Sequence, residues 1–179
     1  MDSKKILKLG VILLIICVIS TLLLAVVNKM TLPVIEQNNL KNQEIAKKEV
    51  LSEAARFEEI GENVYKGLKD DELVGYVVSV SPKGYGGAIE MMVGIDKDMS
   101  VSGIKIISMS ETPGLGAKAK DTKFTEQFIG KNKDLTLKKS QAGENEINAI
   151  SGATVTSTAV TEGVKQAYEL VEKAGGGKQ

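Results

Sequence analysis

The chain has 179 residues, with 23 basic and 23 acidic side chains for a formal net charge of zero, no histidine and one cysteine. The missing histidine excludes Ser-His-Asp and Cys-His nucleophile systems and histidine ligation of a metal or haem; the single cysteine excludes an internal disulfide, an iron–sulfur cluster and a Cys-rich zinc site. The interspersed charges make no basic patch for nucleic acid, and any redox chemistry must come from an organic cofactor.

Residues 9–27 are uncharged and nearly all apolar. As a helix they span roughly 28 Å, close to the ~30 Å hydrocarbon core of a bilayer. Fourteen of them are Leu, Ile or Val. At about −0.3 to −0.6 kcal/mol each, these favour insertion by a few to ~8 kcal/mol. A core helix of a soluble domain would not be apolar on every face. Lys4, Lys5 and Lys8 precede the run and only Lys29 closely follows it. The positive-inside rule therefore puts the N-terminus in the cytoplasm and everything after residue 28 outside. A cleaved signal peptide is the competing reading, but the run exceeds the usual span of about 7–15 residues and no clear small-x-small site follows. Cys17 follows Ile16, where a lipoprotein cysteine would follow a small residue, so it reads as an ordinary small apolar side chain.

A helix is predicted over residues 31–59, with Thr31 as cap and Pro33 in the first turn. Its apolar positions are sparse at first and denser later, which makes a polar stalk leading into a packed segment. Gly61-Glu62-Asn63 breaks it. Strands are predicted over residues 64–68, 73–80, 88–95 and 101–109, the second and third forming a hairpin around a Gly-rich loop, residues 81–87. A short helix over residues 122–129 stops at Gly130, and a further strand covers residues 135–138. The last helix spans residues 154–173, where Val160, Val164, Ala167 and Val171 make one apolar stripe. The fold class is α+β: a mostly antiparallel sheet with packed helices after a single transmembrane helix. The expected organisation is a cytoplasmic N-terminus (1–8), a transmembrane helix (9–28), a stalk (29–60), one domain (61–174) and a flexible tail (175–179).

Two motifs carry chemistry. In Ser151-Gly152-Ala153-Thr154-Val155-Thr156-Ser157, Ser151 is placed to cap the following helix, whose first N–H groups lack internal partners and suit a phosphate. Gly152 and Ala153 leave room for a bulky group, Thr154 offers a hydroxyl for an ester, and Thr156 and Ser157 offer hydroxyls to phosphate oxygens. By themselves these residues equally describe a plain capped helix. In Glu111-Thr112-Pro113-Gly114-Leu115-Gly116, Pro113 and Gly114 fit the second and third positions of a type II turn. Gly116 lets backbone approach a flat ligand. Leu115 is placed against its face, and Glu111 and Thr112 near its edge.

The pair of motifs resembles the FMN-binding domain family. That family includes the G subunit of the Rnf electron-transport complex and the C subunit of the sodium-pumping quinone reductase, and the likeness covers most of residues 30–173. The resemblance implies FMN joined by a phosphoester to Thr154, a flavin transferase for maturation, membrane lipid and other complex subunits as partners, and no metal. It implies an electron-carrier subunit of an ion-translocating ferredoxin:NAD oxidoreductase, with redox chemistry on the cofactor and no catalytic side chain. A stand-alone membrane-anchored flavoprotein, or a quinone-reductase C-type subunit, would use the same motifs. A non-redox interaction domain and a Ser151 hydrolase are the readings from other classes; the hydrolase has neither histidine nor a nucleophile elbow. Family members usually carry Asp three residues before the motif; Asn148 stands there, nearly isosteric and uncharged. Tyr85 in the Gly-rich loop reads as packing rather than cofactor stacking, and Lys118 and Lys120 read as solvated surface.

Overall fold

A computed structural model of the chain describes residues 3–139 and 142–176, in two compact units, Met1–Lys41 and Asn42–Gln179. The elements run in the order α1 (Ser3–Val50), β1 (Arg56–Gly61), β2 (Val64–Lys69), β3 (Glu72–Val80), β4 (Glu90–Asp96), β5 (Val101–Ser108), a 3-10 helix (Gly116–Lys120), α2 (Thr122–Thr125) with a 3-10 extension (Glu126–Phe128), β6 (Thr136–Lys138), β7 (Glu146–Asn148) and α3 (Thr154–Lys173).

In the first unit, the Leu, Ile and Val side chains between Leu9 and Val27 are all exposed, on every face of α1. Such a surface is stable in lipid, not in water. It is the one helix among the described residues long and apolar enough to cross a membrane. Pro33 does not begin a new helix, contrary to expectation; it lies inside α1. Thr31 does not cap, because its hydroxyl donates back to the carbonyls of Val27 (3.0 Å) and Asn28 (3.2 Å). Side chains bonded to the preceding turn in this way continue a helix rather than start one.

The second unit holds a five-stranded antiparallel sheet in the order β1-β2-β3-β4-β5. The helix predicted to reach residue 59 ends at Val50, and residues 56–61 form β1 instead. Pairing with β2 overrides local helix propensity there, since a strand edge takes up backbone groups that a solvated helix end would leave to water. One face of the sheet is covered by the α1 end and the following turn, where Ala46, Val50, Leu51 and Ala54 meet Val77 and Met92. Gly94 and Gly103, paired across β4 and β5, admit the Val50 backbone; a Cβ on Gly94 would lie 2.2 Å from the Val50 carbonyl oxygen.

The other face carries α3. Val160, Val164, Ala167 and Val171 are fully buried as predicted, against Val78, Val80, Met91, Val93 and Ile95. Each such valine contributes about 1.5–3 kcal/mol relative to exposure. Tyr168 joins that stripe, and its hydroxyl is shared between the carbonyls of Met99 (3.1 Å) and Lys131 (3.0 Å). The strand over residues 135–138 is there as β6, paired parallel with β7 outside the main sheet. The helix over residues 122–129 splits into α2 and its 3-10 extension, packed by Phe124 and Phe128. The first two residues of the expected tail (175–179) are hydrogen-bonded to the end of α3. Gly175 (φ 85°) donates to the Glu172 carbonyl and Gly176 to the Val171 carbonyl, a Schellman ending to α3; residues 177–179 lie outside the described residues.

Candidate functional site

The start of α3, the segment after β5 and the β3–β4 loop converge on one cleft of about 540 Å³. The segment after β5 contributes Glu111, Thr112, Leu115 and Gly116. The turn predicted there forms: Gly114 has φ 78° and the Leu115 N–H donates to the Thr112 carbonyl at 3.2 Å. Gly114 itself shapes the turn without lining the cleft. The α3 start contributes Gly152, Ala153, Thr154, Val155 and Thr156. Thus the two motifs, 35 residues apart between Gly116 and Ser151, are brought together.

The hydroxyls of that first turn have separate fates. Thr156 is buried and its hydroxyl donates to Glu111 Oε2 at 2.7 Å. Ser157 is fully buried; it accepts the Ile150 N–H at 2.9 Å and donates to the Ala153 carbonyl at 2.9 Å. Neither is left to meet a phosphate, as the sequence had suggested; both are spent holding the loop. Thr154 is exposed in the cleft, and its hydroxyl makes no hydrogen bond among the described residues. Ser151 does not cap α3, since Ala153 is the N-cap residue and no side chain bonds there. Ser151 instead lines a neighbouring cavity of about 290 Å³ with Lys118, Lys123, Phe124 and Asn148. The reason is Gly152, whose φ of 75° turns the chain between Ser151 and the helix.

Among the described residues, Glu111 is the only charged side chain lining the cleft, and it is buried. It does not present a free edge to a ligand. One carboxylate oxygen accepts the Thr156 hydroxyl and the other accepts the Gly86 N–H at 3.1 Å. Buried carboxylates are tolerated when their acceptor sites are filled in this way. Gly116 is required beside it: a Cβ there would lie 2.6 Å from Glu111 Oε2 and 2.7 Å from Thr156 Oγ1. Asn148 also has a job of its own. Its Oδ1 accepts the Ala142 N–H at 3.0 Å and its backbone N–H donates to Gln127 Oε1 at 2.8 Å. An uncharged amide oxygen suffices for that. Lys118 and Lys120 are exposed and outside the cleft.

Of the residues lining the cleft, sequence reasoning left one unassigned and weighed another for stacking but placed it in packing. Val155 lines it and is half exposed; its position next to Thr154 was the available signal. Tyr85, expected to pack, is 76% exposed and lines the cleft. The walls fit a flavin mononucleotide in kind. They offer apolar surface from Tyr85, Leu115 and Val155, a helix start with free N–H groups for a phosphate, and one unengaged hydroxyl.

Two family matches cover parts of the chain: the FMN-binding domain over residues 84–169 and the RnfG N-terminal region over residues 1–50. The G subunit of the Na(+)-translocating ferredoxin:NAD(+) oxidoreductase complex of Acetobacterium woodii is 38% identical over 195 residues, spanning 96% of this chain and 94% of that one. The G subunit of the proton-translocating ferredoxin:NAD(+) oxidoreductase complex of Clostridium ljungdahlii is 38% identical over 180 residues, spanning 99% and 97%. This chain belongs to that G-subunit family. Among solved structures, the C subunit of the Na(+)-translocating NADH-quinone reductase of Parabacteroides distasonis matches with a TM-score of 0.54 at 25% identity, over 65% of this chain and 63% of that one. The G-subunit likeness runs nearly end to end and the quinone-reductase likeness does not. That difference separates the two expected relatives.

Proposed function

We propose that this G-family chain is the electron-carrier subunit of an ion-translocating ferredoxin:NAD oxidoreductase complex, with FMN held on Thr154 by a phosphoester. The observation that carries the attachment is the division of labour in the first turn of α3. Of its hydroxyls in the cleft, the Thr156 one is bonded to Glu111 and the Thr154 one is unengaged. An ester at Thr154 costs the fold no internal hydrogen bond. The flavin supplies one- and two-electron transfer. The chain's residues do the rest. The first N–H groups of α3, with the positive end of its dipole, hold the phosphate. Gly152 and Ala153 leave the approach to Thr154 open, and Leu115 and Val155 supply apolar surface for the ring.

The tether has a physical purpose under this reading. A flavin bound by contacts alone in an open cleft dissociates, whereas an ester keeps it through every turnover. Maturation then needs a flavin transferase that reaches an exposed threonine, which the cleft permits. Other subunits of the complex donate and accept the electrons. The lysines before α1's apolar stretch support a cytoplasmic N-terminus, with the flavin domain on the opposite side of the membrane.

Mass spectrometry of the Thr154 peptide from native membranes tests the attachment. A peptide heavier by one FMN less water is expected; an unmodified peptide there defeats the proposal. Accessibility of a cysteine placed at Glu162, probed from outside intact cells with a membrane-impermeant reagent, tests the topology.

A further inference from the structure

The Gly-rich loop between β3 and β4 forms the wall of the cleft that carries Tyr85. Its residues Gly84-Tyr85-Gly86 are held unusually close to the segment that opens the second motif. A Cβ on Gly86 would lie 1.9 Å from the Ser110 carbonyl oxygen, and one on Gly84 would lie 2.3 Å from Glu111 Oε1. Neither glycine has a positive φ, so it is contact and not turn geometry that requires them. Two further bonds fix the loop. The Gly86 N–H donates to Glu111, and the Gly84 N–H donates to the Gly87 carbonyl at 2.7 Å. The backbone around Tyr85 is thus clamped while its side chain is 76% exposed on the cleft. A large aromatic left in water on a clamped backbone, beside exposed Leu115 and Val155, forms an apolar surface without a protein partner among the described residues.

We propose that Tyr85 is a cofactor-contacting residue whose ring lies against the isoalloxazine of the FMN, and that Glu111 positions it. This rests on the reading of Thr154 as the flavin's tether. Glu111 joins the three walls. It belongs to the segment carrying Leu115, it accepts from the loop carrying Tyr85, and it accepts from Thr156, two residues beyond Thr154. One buried carboxylate therefore sets the spacing between the phosphate anchor and the aromatic wall. Offset or edge contact of aromatic rings is the arrangement such a wall would take.

The contact has an optical signature that a merely structural tyrosine lacks. A phenol touching an excited oxidised flavin gives it one electron and takes it back on recombination, so emission is quenched with no net chemistry. Phenylalanine stacks but is not oxidised; tryptophan stacks and is. The experiment uses the full-length, flavin-loaded chain purified from native membranes, with flavin content per chain measured first. Emission yield and lifetime are then compared for the parent, Tyr85→Phe, Tyr85→Trp and Tyr65→Phe, the last a tyrosine outside the cleft. A several-fold rise for Tyr85→Phe, continued quenching for Tyr85→Trp and no change for Tyr65→Phe are expected at equal flavin content. Gly86→Ala, which displaces the loop without touching the phenol, should also raise emission. Unchanged emission in a fully loaded Tyr85→Phe overturns this inference and leaves the Thr154 tether standing. A parent chain with no flavin on Thr154 overturns both.

Discussion

The first turn of α3 and the turns that follow it are one continuous helix held by different forces. From Val160 to Val171 the helix is fixed mainly by apolar side chains at helical spacing against a sheet, and Val160, Val164, Ala167 and Val171 are fully buried. At the first turn the burial is polar. Thr156 and Ser157 are as buried as the valines, yet each is held by directed hydrogen bonds to Glu111 or to the Ile150–Ala153 loop. Hydrophobic burial is non-directional and places a helix; hydrogen bonds are directional and place an atom. A site that must hold one hydroxyl in the open needs the second kind of construction beside the first.

Substitutions can pull the two constructions apart. Thr154→Ala has the largest expected effect on function, abolishing SDS-resistant flavin fluorescence. It leaves stability within about 0.5 kcal/mol, because the residue is exposed and unbonded. Flavin remaining on the Thr154→Ala chain would show attachment elsewhere. Met91→Ala does the reverse. It deletes a fully buried side chain beneath α3, with an expected loss of about 2–5 kcal/mol in denaturant unfolding and flavin attachment retained in the folded fraction. Glu111→Ala should affect both, because it strands the Thr156 hydroxyl and the Gly86 N–H; about 1–3 kcal/mol is expected, measured by the same unfolding curve. Glu111→Ala emission should also rise, as the Tyr85 loop is released.

A smaller test uses pH. Burial, with the charge of Asp96 second, raises the Tyr168 phenol well above its ordinary 10.0. The unfolded chain ionises near 10.0 while the folded one stays protonated, so this contribution is complete below that pH and is lost as pH rises beyond it. Tyr168→Phe should flatten the alkaline limb of a stability-against-pH curve and cost about 1 kcal/mol at neutral pH from the lost hydroxyl bonds. An unchanged alkaline limb would mean that another group controls it.

The elements whose pattern is repeated many times were legible in the sequence. The apolar stretch in α1, the central strands and the α3 stripe each declare themselves by period, because burial on one face or in lipid demands it. The type II turn at Gly114 was equally legible, since only a few residue types tolerate a positive φ. Short or overridden elements were not. Residues 56–59 read as a helix end and became part of β1, because a strand partner lay elsewhere in the chain. Ser151 read as a cap because serine usually is one, and only the turn at Gly152 sends it to the other side.

By itself, then, the sequence determined the apolar helix, the fold class and the two motif segments that line the cleft, since composition and spacing are local quantities. Which hydroxyl stands free, that one carboxylate ties three segments together, and that Tyr85 faces the cleft rather than the core were decided only by tertiary structure. These depend on contacts between residues 25 and 45 positions apart, and no local pattern encodes where such partners meet.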